Sequence, residues 1–295
     1  MKGTLKVIWV ALSIMSCETV VDIDIPLEKP KLVVNSVFSP DSVWQVQISR
    51  SRHILNDLPF PKVEDAQVRV YDSNDDLVAT LVHKGGGVYR DDTSPSSGSS
   101  YTLKVETATE SNTFAISQIP VVVPITSVEV ELDTSGFQFN YQEVEMTVNF
   151  SDPQTEKNYY LLKVLQEGYY IDYRTKDTVN FRSEINFTPV DPAYENDYDS
   201  RTGMLFNDNL FNGKDYGFLV KINPFFLKPD NEFGATRVDV ILFSVSEEYY
   251  QYFTTKNLQD YTSGDPFAQP VQVFTNVENG LGIFAGYDKS IFRLK

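Results

Sequence analysis

Apolar and polar residues alternate with a period of two along much of the chain. Leu32-Val33-Val34 runs through to Phe38 and meets a Pro40-Asp41 turn. Trp44, Val46 and Ile48 then interleave with Val43, Gln45 and Gln47. Strict alternation of this kind predicts a half-buried β-strand. The pattern returns at Ala66–Tyr71, Leu77–Val82 and Tyr101–Val105, punctuated by Asp72–Asp76, Gly85-Gly86-Gly87 and Ser94–Ser100. Strands at the roughly 8–12-residue spacing of a β-sandwich predict one over residues 31–119. Residues 120–125 carry Pro120 and Pro124, which suits a stiff linker or an edge strand. A second β-rich region is predicted over 126–295. Thr126–Leu132 and Glu143–Phe150 alternate, Asn158–Gln166 and Gly168–Tyr173 read as a hairpin, and Tyr216–Ile222 and Arg237–Ser244 read as strands.

One helix breaks the pattern, from Ser246 to about Asp260. Ser244 and Glu247 have capping-box spacing, and Glu247 and Glu248 suit the positive end of the helix dipole. Tyr250, Phe253, Leu258 and Tyr261 fall on one face at 100° per residue, so that face is expected to pack on a sheet. Gly264, Asp265 and Pro266 stop the helix.

The first residues carry a different signal. Lys2 and Lys6 precede the apolar run Val7–Ile14, which is too short for a bilayer span of about 20 residues. Ile14-Met15-Ser16-Cys17 follows directly and resembles a bacterial lipobox. The resemblance implies a signal peptide over residues 1–16, cut before Cys17, with Cys17 then acylated. Cys17 is the chain's one cysteine, so no thiol is risked elsewhere in an oxidising compartment. Several acyl chains on one residue anchor stably, since each buried methylene contributes about 0.8 kcal/mol. Residues 17–30 are then a lipidated tether, or a first strand given Ile23-Asp24-Ile25.

Charge narrows the partners. The 295 residues carry 25 Lys+Arg and 41 Asp+Glu, a net −16, and loss of Lys2 and Lys6 makes the mature chain more negative still. Nucleic acid is not expected as a partner, because phosphate binding needs clustered cations. The same charge is expected to keep the body off an anionic membrane surface.

Candidate chemistry is sparse. Asp72–Asp76 begins like a calcium loop but has Leu77 and His83 where that loop needs Gly and Glu, so it reads as a turn. Asp191, Glu195, Asp197 and Asp199 form an acidic loop in which a calcium site is conceivable. Gly280-Leu281-Gly282 through Gly286 has dinucleotide-fingerprint spacing but lacks the following βαβ unit. His53 and His83, the two histidines, read as surface residues. No catalytic residue, metal site or cofactor is expected, apart from the covalent lipid. Tyrosines are the candidate binding groups: Tyr169, Tyr170 and Tyr173, Tyr194 and Tyr198, and the Tyr159-Tyr160 pair. They could stack on sugars or line a peptide groove, or pair across strands.

Several segments together resemble one family. They are Cys17 with Glu18 and Val20-Val21-Asp22-Ile23-Asp24-Ile25-Pro26, Lys31-Leu32-Val33-Val34, Phe206-Asn207-Asp208 through Gly213 and Tyr216, Ser246–Tyr250, and Asp265-Pro266-Phe267 through Asn276, Gly280, Phe284 and Tyr287. They are similar to the Bacteroidota lipoproteins grouped as domain of unknown function 4249. The resemblance implies an outer-membrane setting, often beside TonB-dependent transporters, and assigns no catalytic residues. Ala66–Val105 also resembles the transthyretin-like modules of carboxypeptidase regulatory domains. The expected class is therefore mainly β: an Ig-like or transthyretin-like sandwich, then a β-rich domain with one short helix near the C-terminus. The expected role is a non-enzymatic accessory lipoprotein of a TonB-dependent transporter, at the cell surface or the periplasmic face. A glycan- or peptide-binding surface lipoprotein and a carboxylate-pair hydrolase are the alternatives.

Overall fold

The computed structural model describes residues 29–294 except 54–55, 109–111, 133–143, 155, 195–202, 223–232 and 266. Cys17 and Tyr198 lie outside the described residues, as do Glu195, Asp197 and Asp199 of the acidic loop. Among the described residues the chain is mainly β, with a single short helix near the C-terminus.

The first seven strands are β1 (Leu32–Phe38), β2 (Gln45–Arg50), β3 (Gln67–Asp72), β4 (Leu77–Gly85), β5 (Val88–Arg90), β6 (Ser100–Glu106) and β7 (Thr113–Gln118). Their alternation is real: Leu32, Val34, Trp44, Val46, Ile48, Val68, Val70, Leu103 and Val105 all point into one core. The segment 31–119 does not close that core alone. β16 (Val277–Glu278) pairs with β7, and the first half of β17 (Leu281–Arg293) pairs in parallel with β1, from Val33 opposite Leu281 to Phe38 opposite Gly286. Val277 and Phe284 complete the buried cluster. Phe284 is fully buried, its ring centroid 4.4 Å from that of Phe38.

The approach is close enough to select residues. An added Cβ would sit 2.1 Å from the Val34 carbonyl oxygen at Gly282, where φ is +108°, and 2.3 Å from the Gln118 carbonyl oxygen at Gly286. Asn279, at φ +58°, turns the chain from β16 into β17, as a left-handed Asn is suited to do. The Asn276 side chain then acts as a stretch of extra backbone. Its Nδ2 donates to the carbonyls of Phe284 (2.7 Å) and Ile116 (3.0 Å), and its Oδ1 accepts from the Phe284 N–H (3.0 Å).

The second half of β17 belongs to another core. Residues Tyr287–Arg293 pair antiparallel with β15 (Phe233–Val245), which pairs with β10 (Tyr159–Ile171). β10 carries β13 (Met204–Asn207) beside its first half and β11 (Thr178–Glu184) beside its second. A four-stranded sheet faces them, in the order β12 (Phe187–Pro189), β14 (Asp215–Ile222), β9 (Val144–Ser151), β8 (Ile125–Leu132). Tyr160, Leu162, Val238 and Val240 meet Met146, Val148, Phe218 and Val220 between the layers.

Three expectations change. Asn158–Gln166 and Gly168–Tyr173 are not a hairpin but one strand, β10, with a bulge between Glu167 and Gly168. Gly168 is there because the neighbouring strand comes close: a Cβ would lie 2.4 Å from the Gly234 carbonyl oxygen. The helix, α1 (Glu247–Thr262), is capped by Ser246 rather than Ser244. Ser246 Oγ accepts from the Tyr249 N–H, while Ser244 Oγ, buried at the end of β15, accepts from the Val123 N–H. The packed face of α1 holds Tyr249, Tyr250 and Phe253 over Tyr159, Leu161 and Val245; Tyr261 is 68% exposed.

Replacing Asn276 by Ala leaves the Phe284 N–H and two carbonyls to find new partners. At about 1–3 kcal/mol per buried group left unpaired, thermal unfolding of Asn276→Ala is expected to occur several degrees below that of the parent, and Asn276→Asp is expected to lose at least as much, because it sets a carboxylate oxygen against the Phe284 and Ile116 carbonyls that Nδ2 serves.

Candidate binding surface at the distal hairpin

Strand directions give the molecule two ends. β1 and β17 run in parallel away from the end at which Lys31 precedes β1. Val245 of β15 pairs with Tyr287, and Tyr159 of β10 pairs with Val245, so β10 begins at the junction of the two sandwiches. It runs outward to Tyr170 opposite Phe233. At about 3.3 Å per residue, the path along β17 and the protruding part of β15 to the β10–β11 turn is roughly 60 Å long.

This turn is tightly built. Asp172 Oδ1 accepts from the backbone N–H of Arg174 (2.7 Å) and Thr175 (3.2 Å), and the Asp172 carbonyl accepts from Lys176, which sits at φ +62°. Such an Asx turn fixes the tip without a glycine. Tyr173 is 71% exposed there, with the Arg174 guanidinium 5.2 Å from its ring centroid. Tyr170 is exposed on the hairpin face beside Phe181, centroids 6.4 Å apart. Tyr169 points to the other face and covers Gly234, whose added Cβ would lie 3.1 Å from the ring. The hairpin therefore exposes Tyr170 and Tyr173, with Phe181 half-buried over Gly168 beside them, on an outer strand, β11, that alternates exposed and half-buried residues.

The remaining tyrosines are elsewhere. Tyr194 packs against the second core. Tyr159 and Tyr160 are buried: Tyr159 lies 4.8 Å from Tyr250, and Tyr160 5.4 Å from Phe206. Their period-two position in β10 sends one to each face of the sheet, and both faces are covered. The acidic loop begins with a structural carboxylate. Asp191 is buried and accepts from Tyr216 Oη (2.6 Å) and from the backbone N–H of Ala193 (2.8 Å) and Leu219 (3.1 Å). Asp72 Oδ1 accepts from the N–H of Asn74 and Asp76, as a turn requires. His83 Nε2 accepts from the Gly87 N–H, inside the β4–β5 turn.

Sequence reasoning missed a buried polar knot at the start of β10. Asp152 accepts from Tyr160 Oη (2.5 Å) and the Gly213 N–H (2.8 Å), and Asp208 accepts from the Asn158 N–H (2.8 Å). Burial holds the Asp152 carboxyl above its usual range, although the hydrogen bonds from Tyr160 and Gly213 pull it down; the nearby Asp208 charge adds to the rise. Burial and the Asp152 hydrogen bond push the Tyr160 hydroxyl far up. The Phe206–Gly213 segment is thus a scaffold, with Gly213 at φ +72°. No group of three or more His, Cys, Asp or Glu suited to a metal occurs among the described residues. The cleft of about 400 Å³ between Asp72 and Tyr101 is lined largely by serines and glycine.

The linkage sign for Asp152 is set by its raised value. The folded state binds its proton more tightly than the unfolded chain, so the stability it contributes is full below the unfolded carboxylate value of about 3.9 and is lost as pH rises through the folded value. Asp152→Asn is expected to flatten this decline: the parent-minus-variant difference in unfolding free energy falls between acid and neutral pH. Gly168→Ala is expected to cost about 1–3 kcal/mol through overpacking against Gly234, lowering the unfolding midpoint in urea.

The family model for a domain of unknown function, DUF4249, matches residues 18–293. No curated protein matches the chain.

Proposed function

The chain belongs to the DUF4249 family, and from that premise we propose that it is an outer-membrane lipoprotein, held by acylated Cys17, that serves a TonB-dependent transporter as a non-enzymatic accessory. One observation carries the reading. The chain enters the fold at one end of the body, and the aromatic hairpin stands at the other. An anchor and a docking tip at opposite ends suit a protein that presents one surface to a neighbour in the same membrane. Tyr170, Tyr173 and Phe181 are the groups proposed to dock, because rigid aromatic side chains lose little conformational entropy on binding. The lipobox at Ile14–Cys17 supports the anchor. Among the described residues no helix is long and apolar enough to cross a membrane, so nothing else in them competes with the lipid as a helical anchor.

A second reading keeps the same surface and changes the occupant. The exposed faces of Tyr170 and Tyr173 would stack on a sugar ring or cover an extended peptide added to the β11 edge.

Purification of the native lipoprotein from envelopes in mild detergent is expected to recover a β-barrel transporter. Truncating aromatic hot spots costs about 2 kcal/mol or more, so Tyr170→Ser with Tyr173→Ser is expected to lower that recovery at least tenfold with an unchanged melting temperature. Recovery of the parent alone contradicts the accessory role, and binding of the parent to a polysaccharide or peptide panel then favours the second reading. Cys17→Ala is expected to leave the envelope fraction and lose labelling by palmitate analogues.

A further inference from the structure

The end of the first sandwich where the tether joins differs in character from the rest of this acidic chain. Residues 29–62 carry Lys29, Lys31, Arg50, Arg52 and Lys62 against Asp41 and Asp57. Asp41 lies away from that end, in the β1–β2 turn, bonded to Lys289 at 3.1 Å. The cations are drawn together by pairing. Lys31 and Ser51 exchange backbone and side-chain hydrogen bonds, the Arg50 N–H donates to the Pro61 carbonyl, and Ser49 bridges to Lys62. Two large apolar side chains project from the same place: Leu58 is 69% exposed and Phe60 is 50% exposed. Arg52 holds them, donating to the Leu58 carbonyl and standing 4.7 Å over the Phe60 ring.

We infer that this end rests on the lipid surface, with Leu58 and Phe60 seated in the headgroup layer and Lys29, Lys31, Arg52 and Lys62 on anionic headgroups. The inference rests on the reading of Cys17 as the anchor. Two observations select lipid over another occupant. The chain reaches the patch directly from Cys17: twelve residue steps separate it from Lys29, roughly 40 Å at full extension. The tether thus holds the patch beside the bilayer at high effective concentration, and a weak contact suffices. The second is charge: the mature body, more negative than the −16 of the full chain, is repelled by anionic lipid, and least so at this end, where five cations offset Asp57, Glu64, Asp65 and the nearby Glu278. Asp57, with Glu64 and Asp65 just beyond, limits the attraction and leaves the apolar pair to complete it. The body then stands upright on its anchor end, and the expectation that it holds off the surface is replaced there.

The test uses the mature lipidated protein in phosphatidylethanolamine–phosphatidylglycerol vesicles with brominated acyl chains. Of the two tryptophans, Trp9 precedes Cys17 and Trp44 is buried, so a new one reports its own site. Seated roughly 5–10 Å into the boundary, Phe60→Trp is expected to lose about half its emission, whereas Tyr173→Trp at the far tip keeps its emission. Changing Lys29, Lys31, Arg52 and Lys62 together to Glu is expected to abolish the quenching while the protein still floats with vesicles. An acylated, floating protein whose Phe60→Trp emission is the same in brominated and plain vesicles overturns the inference and leaves the anchor standing. Quenching that survives the four-Glu change overturns the role of charge. A protein with no fatty-acid mass on Cys17 that fails to float overturns the anchor, and the inference with it.

Discussion

One strand serves two cores. Leu281–Gly286 runs parallel to the first strand of the fold, and Tyr287–Arg293 runs antiparallel beside β15, with no break between. A parallel neighbour cannot be made by a tight turn; it needs a long crossover. Here almost the whole chain is the crossover, since β1 and β17 are separated by more than two hundred residues. The chain meets the entropy of closing so long a loop by concentrating contact where the ends meet. Phe284 fills the first core, Gly282 and Gly286 let backbones approach, and Asn276 ties Phe284 to β7. Serines at the junction add to this: Ser244 and Ser290 accept from Val123 and Ile125, and Ser246 N–H donates to Gly286.

From that constraint the molecule gains direction. A shared strand cannot hinge freely, because bending it breaks ladders on both sides. The end at Lys31 and the hairpin tip are therefore held apart by one continuous set of ladders. The cationic end is local, within a chain whose composition is strongly acidic.

Much of the first sandwich was legible because its strands bury one face and alternate cleanly, as in Thr113–Gln118 and Ser100–Glu106. The second was less legible where both faces are covered. Tyr159-Tyr160-Leu161-Leu162 is buried on both sides, so periodicity carries no signal there, and the exposed reading of its tyrosines fails. Gly168 resembled a turn because glycine marks both turns and close approaches. Ser244 and Ser246 are two residues apart, and only tertiary packing decides which caps α1. At the candidate surface, Tyr170 and Tyr173 fell together because they are neighbours in one hairpin, whereas Tyr194 was absorbed by the core. The patch of Lys31, Arg52 and Phe60 was hidden because these residues meet only through the pairing of β1 with β2 and of β2 with the following loop.

Hydrogen exchange on the amides of β1 and β15 in the mature protein, before and after Phe284→Ala, tests the shared strand most directly. The strand couples the cores, so opening free energies in β1 and β15 are expected to fall together and by similar amounts, although Phe284 touches only the first core. A fall confined to β1, with β15 unchanged, would contradict the account.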